Sequence, residues 1–202
     1  MELMKRVKDV MIKLRMNKRA LSQVVTTLII LVVAVLLAGV VVYYAVNIVS
    51  TSVQEESLNL VYQHVWFSTT DQKAEAAMMI TNTGGRDVVF QNIAVRGQPV
   101  PTADIYYFKP TTLADLPYVS NNATVPLTNT TAVPTGFGAT GDFLSVTGPL
   151  TLASGKTIAV YIAGTATFSP GSVTVNDVGL TIAISVFTAQ ATYIKETNVN
   201  AA

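Results

Sequence analysis

Residues 21–53 read LSQVVTTLIILVVAVLLAGVVVYYAVNIVSTSV. The 34 residues of Leu21–Gln54 carry no charge, and Leu28–Val46 is an unbroken apolar run of 19 residues. A helix over that run is roughly 28 Å long at about 1.5 Å per residue, which matches a bilayer hydrocarbon core of about 30 Å. The run therefore predicts a membrane-spanning helix.

Basic residues are concentrated on the N-terminal side of this helix. Residues 1–20 hold seven Lys/Arg and two Asp/Glu, a net charge of +5, whereas the remainder holds six and ten, a net charge of −4. By the positive-inside rule the N-terminal side is cytoplasmic, and Tyr43 and Tyr44 suit the opposite interface. We therefore expect the C-terminal part of the chain to lie outside the cell.

Composition and motifs argue against several classes of protein. Only 12% of the residues are charged, against about 25% in a typical soluble domain, and there is no cysteine. The basic cluster lies outside the predicted folded part, so nucleic acid is not expected as a partner. No nucleotide-binding, hydrolase or metalloprotease motif is present, which predicts no catalytic residue, no cofactor and no enzyme activity.

Metal ligands are also sparse. The single histidine, His64, has no second histidine or cysteine to complete a usual site, so a structural role is expected for it and no metal site is predicted. The acidic residues of the C-terminal part are scattered rather than paired in a motif. They include Asp71, Glu75, Asp87, Asp104, Asp115, Asp142 and Asp177.

The residues just before the apolar run form a distinctive junction. An ordinary secretory signal is cut after its apolar stretch, at small residues, but here the candidate site precedes the stretch. Lys18, Arg19 and Ala20 are followed by Leu21 and an uncharged helix. This order resembles the class III signal of archaeal type IV pilins and archaellins, in which a prepilin peptidase cuts after such a tripeptide. Bacterial type IV pilins carry Glu at the fifth mature position, where this chain has Val25, so the resemblance is to the archaeal members.

The resemblance implies a domain order and a mode of action. Residues 1–20 are a cleaved leader, residues 21–59 are a hydrophobic helix that spans the membrane and then forms a filament core, and residues 60–202 are a surface domain. The precursor is held in the cytoplasmic membrane, the prepilin peptidase frees Leu21, and an assembly ATPase with a membrane platform builds a homo-oligomeric helical filament outside the cell. Adhesion is the expected use.

The predicted helix also offers residues for packing against other helices. It is uncharged to Gln54 and continues without proline to about Ser57, which gives roughly 55 Å, whereas an anchor needs only about 20 residues. Small residues let helices approach closely in membranes. The expected packing residues are Leu28, Leu31, Ala34, Val35, Ala38, Gly39 and Val42.

The C-terminal part is rich in Val, Ile, Thr, Tyr and Phe, with Gly, Pro, Asn and Asp between the runs, which predicts β-structure. The expected fold class is α+β, a long apolar helix followed by an immunoglobulin-like antiparallel β-sandwich. Asn82–Gly85 is expected to be a hairpin turn that pairs the second and third strands. The seven expected strands are Val61–Ser68, Ala74–Thr81, Asp87–Arg96, Ile105–Lys109, Lys156–Gly164, Ser172–Val175 and Gly179–Phe187.

Residues 110–149 are rich in Thr, Asn, Gly and Pro and lack a regular pattern, so we expect a long surface loop there. Two glycosylation sequons lie in it, at Asn122 and Asn129. Both are expected on the external side, where they would make the protein a glycoprotein.

Three other functions stay open at the level of sequence. An archaellin, the subunit of a motility filament, shares the leader, the helix and the β-rich domain. A single-pass anchored binding module would use the apolar run only as an anchor and residues 110–149 as its ligand-contacting loop. An anchored hydrolase would need a catalytic constellation that the sequence does not show.

Overall fold

The computed structural model describes residues 2–53, 55–120, 127–128, 130–139, 141–165 and 169–202, with the side chains of residues 12–20 and 52–53 outside that description. The chain divides into two compact units, Met1–Ser52 and Val53–Ala202. The first unit is helical, and the second, here called the β domain, contains all the described strands. The fold class is therefore α+β.

One helix, α1, runs from Glu2 to Val53. Its 52 residues give a length of about 78 Å. Proline is absent from it and Gly39 is its only glycine, so nothing in its sequence interrupts the helical hydrogen bonds. The helix begins well before Leu21 and ends four residues before the expected Ser57.

The helix ends early because the next residues bond to the β domain instead. Backbone N–H groups of Thr83 and Gly84 donate to the Ser57 carbonyl at 2.9 and 3.0 Å, and that of Gly85 donates to the Glu55 carbonyl at 3.2 Å. A carbonyl engaged in this way leaves the helix pattern, and the first strand starts at Leu58.

Ten strands form one curled, mostly antiparallel sheet in the order β4-β3-β9-β10-β1-β2-β8-β5-β6, with β7 paired to β3. The parallel pair is β1 with β10, in the register Val65 to Val199. The strands are β1 Leu58–Ser68, β2 Lys73–Asn82, β3 Val88–Val95, β4 Gln98–Pro99, β5 Ile105–Phe108, β6 Leu144–Ser145, β7 Leu150–Leu152, β8 Thr157–Ala163, β9 Thr181–Thr188 and β10 Thr192–Ala201.

Strands β2 and β8 are buried on both faces, as their nearly continuous apolar sequences require. Alternate residues of each strand point to opposite sides of the sheet. Met78 of β2 and Val160 of β8 belong to a large core that also takes residues from β3, β9 and β10. Met79 and Tyr161 belong to a second core on the opposite face.

The second core shows that the described part of residues 110–149 is not the free surface loop that the sequence predicts. Four residues of the 110–149 stretch, Leu116, Leu127, Phe137 and Phe143, are buried against that face of β2 and β8. Phe143 lies edge-on to Tyr161, with ring centroids 5.1 Å apart. The described residues of the 110–149 stretch are thus mostly irregular, as expected, but they pack on the sheet instead of standing away from it. We call this stretch the cover segment.

The expected hairpin at Asn82–Gly85 is wrong. Strand β2 pairs with β1 and β8, whereas β3 pairs with β4, β7 and β9, so the turn carries the chain between separate parts of the sheet. Its glycine serves a different purpose, because a Cβ on Gly84 would lie 2.6 Å from the Glu55 carbonyl oxygen. Gly84 therefore permits the close approach of the backbone that follows α1.

One expected strand is absent and four observed strands were missed. Residues 172–175 are not a strand, because Ser172 ends one 3-10 turn, Pro170–Ser172, and Val175 begins another, Val175–Asp177. Asp177 fixes the second turn by accepting the Thr174 N–H at 2.8 Å and an Arg96 N–H at 3.0 Å. Of the missed strands, β4, β6 and β7 span only two or three residues each, and β10 has a polar sequence that lacks an apolar run.

Candidate functional site

The segment Leu21–Thr51 of α1, here called the apolar helix, is the first candidate site. It spans 31 residues, and its most apolar window has a mean hydropathy of 3.1 with no part of that window buried. By length and composition it can cross a membrane, as an anchor or as a signal sequence. A helix that is apolar on every side requires an apolar environment all round, which its own unit does not supply.

The expected packing residues share one side of this helix. Leu28, Leu31, Val35 and Val42 are all more than half exposed. Together with Ala38, they follow one another at intervals of three or four residues, which aligns them along one face of the helix. Ala34 and Gly39 flank the same face. The structure therefore brings the seven residues onto a single exposed surface.

Gly39 has no role within its own unit. A Cβ built on Gly39 would meet no atom within 4 Å, and its φ lies outside the left-handed region. Glycine inside a helix costs about 1 kcal/mol relative to alanine. A close approach by another molecule would account for glycine at this position, because small residues allow neighbouring backbones to come near.

The expected cleavage site lies within α1. Lys18, Arg19, Ala20 and Leu21 are all helical in backbone, and Leu21 is exposed. The side chains of the first three fall outside the described ones. The basic segment before Leu21 and the apolar helix are thus consecutive parts of one helical element.

The two sequon asparagines, Asn122 and Asn129, lie outside the described residues. Thr130 of the second sequon is exposed, and its hydroxyl lies 2.9 Å from that of Thr128. Use of the sequons stays a prediction.

A second candidate site lies under the cover segment and was missed by sequence reasoning. Glu75 of β2 is almost completely buried, and its Oε1 accepts the N–H of Val119 at 3.1 Å. Among the described residues, its Oε2 has no hydrogen-bond partner. Burial raises the pKa of Glu75 to about 8, although the Val119 hydrogen bond acts in the opposite direction, so the carboxyl is mostly protonated at neutral pH.

Several polar contacts fasten the cover segment around Glu75. The Tyr118 hydroxyl donates to Asp71 at 3.0 Å, and the Tyr161 hydroxyl donates to the Pro117 carbonyl at 2.9 Å. His64 Nε2 lies 2.6 Å from Asp115 Oδ1. Two of the scattered acids, Asp71 and Glu75, therefore contact residues 118–119, and Asp115 lies in the same short stretch of chain.

This cluster holds structure together more readily than it performs chemistry. His64 stacks on Trp66 with ring centroids 5.1 Å apart, which orients its ring toward the cover segment. Within the part of the chain that the structure describes, no three His, Cys, Asp or Glu side chains are grouped to hold a metal ion. The signal available in the sequence was a lone glutamate inside the apolar strand AEAAMMI, because a strand buried on both faces leaves a charge no water.

Comparison of the chain with models of known protein families gives no match, and comparison with curated proteins gives none.

Proposed function

We propose that the chain is the precursor of a structural filament subunit that resembles archaeal type IV pilins. The observation that carries this proposal is the apolar helix. It is exposed on every side, and no other residues of its own unit bury its most apolar window. A prepilin peptidase releases the leader at Leu21, and an assembly ATPase with a membrane platform adds the mature subunit to an extracellular adhesion filament.

The length of the apolar helix favours assembly over simple anchoring. Its 31 residues extend about 46 Å, whereas a bilayer core is about 30 Å thick. In a filament, the helix exchanges lipid for equivalent surface on neighbouring helices, so its side chains stay out of water throughout. Gly39, which has no neighbour in its own unit, supports such close contact.

The β domain forms the exterior of the proposed filament. We further propose that its curled sheet is an immunoglobulin-like sandwich, supported by the large core that residues of β2 and β8 share with residues of β3 and β9. The packing of the cover segment onto β2 and β8 argues against its use as a free ligand-contacting loop. This weakens the anchored binding module as an alternative. An archaellin remains the close alternative, because it would use the same helix.

Val35 provides the test. A single arginine at the centre of a membrane span costs about 2.5–3.5 kcal/mol on insertion scales, which the other apolar residues offset, so Val35→Arg should still insert and be processed. In a filament the same charge recurs in every subunit among apolar neighbours, without a carboxylate to pair with it. We expect no filaments from Val35→Arg and normal filaments from Val35→Leu.

The measurement is electron microscopy of material sheared from cells, beside an immunoblot of membranes and mass spectrometry of the mature N-terminus. Abundant Val35→Arg filaments, or a wild-type surface protein that keeps residues 1–20, would overturn the proposal. Single subunits in detergent extracts, with no filaments from the wild type, would favour the anchored module.

A further inference from the structure

The leader carries an exposed apolar surface in addition to its basic charge. Within Glu2–Met11, five exposed apolar residues recur at helical spacing. At about 100° per residue they occupy one stripe roughly 120° wide. The stripe residues are Leu3, Met4, Val7, Val10 and Met11.

Charge is arranged around this stripe in an ordered way. Arg6 lies about 40° beyond one border of the stripe and Lys8 about 40° beyond the other. The two acids, Glu2 and Asp9, lie on the opposite side of the helix, near Lys5. Basic residues beside an apolar stripe, with acids opposite, are typical of a helix that lies on an anionic membrane surface.

The helix changes character where the leader ends. From Leu21 onward, apolar side chains cover every side of α1, whereas within Glu2–Met11 they lie on one side only. The first pattern suits the membrane interior and the second suits its surface. A partner leader from a second copy fits poorly, because the basic flanks of the two stripes would repel each other.

We propose that, before its removal, the segment Glu2–Met11 lies on the anionic surface of the cytoplasmic leaflet with its apolar stripe among the lipid headgroups. The inference rests on the membrane-spanning part of the proposed function. It does not require that filaments form.

α1 is continuous from Glu2 to Val53, so the proposal requires that the helix bend on the membrane between Met11 and the span. A straight helix would carry Leu3 about 27 Å beyond Leu21, away from the membrane. Hydroxyl groups bond back to the helix at that boundary, from Thr26 to the Ser22 carbonyl at 2.8 Å and from Thr27 to the Val24 carbonyl at 2.9 Å. Such back-bonding often bends helices.

The absence of cysteine allows a direct test on the full-length precursor with its leader attached. Val7→Cys on the stripe and Asp9→Cys on the opposite side each carry an environment-sensitive dye. Both proteins are reconstituted into vesicles of phosphatidylcholine, with or without phosphatidylglycerol. Val35→Cys reports that the apolar helix has inserted.

With phosphatidylglycerol present, we expect a blue-shifted Val7 dye and several-fold weaker quenching by acrylamide than at Asp9. High salt, or replacement of Lys5, Arg6 and Lys8 by glutamine, should remove that difference because it screens or removes the attraction to the lipid. Equal quenching at the two positions overturns the proposal and leaves an acidic protein groove as the partner of the stripe. Protection of Val7 that does not depend on phosphatidylglycerol overturns the anionic surface. A Val35 dye in water would instead refute the membrane span itself.

Discussion

The apolar helix and strand β8 both consist mostly of apolar residues, yet only those of β8 are buried within their own unit. Val160 of β8 is completely buried, whereas Val35 of the apolar helix has 64% of its surface exposed. Burial of a valine side chain is worth about 1.5–3 kcal/mol. The β domain obtains that stabilisation from its own chain, and the helix can obtain it only from lipid or from other molecules.

Apolar content alone therefore does not identify the core of a domain. In β2 and β8 each apolar side chain has a partner on its face of the sheet, supplied by other strands or by the cover segment. The apolar helix has more apolar residues and no internal partner for them. Substitutions in the two regions should therefore damage different properties.

The largest expected effect is on folding of the β domain. Val160→Arg places an unpaired charge in a fully buried position, which costs several kcal/mol out of a total stability of about 5–15 kcal/mol for a domain. We expect loss of the cooperative thermal transition in detergent. Val35→Arg, with the same change on the exposed helix, should keep that transition. Circular dichroism and limited proteolysis measure both, and equal damage by the two substitutions would contradict the comparison.

Processing is expected to be lost, with folding intact, when the leader junction is changed. Arg19→Glu removes the basic pair with Lys18, while the other basic residues still orient the helix in the membrane. The precursor should then accumulate uncut in membranes, and Arg19→Lys should be processed. An immunoblot that resolves precursor from mature protein decides the matter. Efficient cleavage of Arg19→Glu would remove this junction from the account.

An intermediate, pH-dependent effect is expected inside the β domain. The pKa of Glu75 is raised from 4.5 to about 8 in the fold, so the folded protein binds the proton more tightly than the unfolded chain. The stabilisation is complete below about pH 4.5 and is lost as the pH rises through 8, at no more than about 1.4 kcal/mol per pH unit. Glu75→Gln, which can still accept the Val119 N–H, should match the wild type at pH 5 and exceed its stability at pH 9.

Thermal unfolding of both proteins across that range is the measurement for Glu75. The exposed Glu196→Gln on β10 is the matched control and should run parallel to the wild type. A difference between Glu75→Gln and the wild type that does not change with pH would show that the carboxyl remains ionised in the fold.

The smallest structural effect is expected at the two sequons. Asn122→Gln together with Asn129→Gln should lower the mass of the surface protein, while filaments form as before, because the cover segment is expected on the external side. Intact-mass spectrometry with electron microscopy checks both outcomes. An unchanged mass would remove glycosylation from the account of this protein.

The sequence predicted the apolar helix because a long uncharged run without proline leaves few alternatives. Six of the seven expected strands exist, but their partners could not be predicted, since alternation identifies the faces of a strand and not its neighbours. Gly84 illustrates the limit. Its turn chemistry suggested a hairpin, whereas the Glu55 backbone, distant from it in sequence, determines the need for glycine.

The two candidate sites differ in the same respect. The face of Leu28, Val35 and Val42 follows from spacing along one helix, so it could be identified without a structure. The cluster around Glu75 depends on Val119 and Tyr161, which come from separate parts of the chain. Only the packing of the cover segment brings these residues together, and no local sequence pattern predicts that packing.

The backbone hydrogen bonds between Glu55–Ser57 and the Thr83–Gly85 turn, here called the clasp, affect how the β domain bears a pulling force. Tension that enters the β domain through Val53 first reaches the three backbone hydrogen bonds of this clasp. It then reaches β1, which lies inside the sheet between β10 and β2. Hydrogen bonds in a sheet run across the strands, so a pull along β1 loads its rows in shear. A filament under drag would thus load many bonds at once, and we expect rupture in a single high-force event rather than stepwise peeling from an edge.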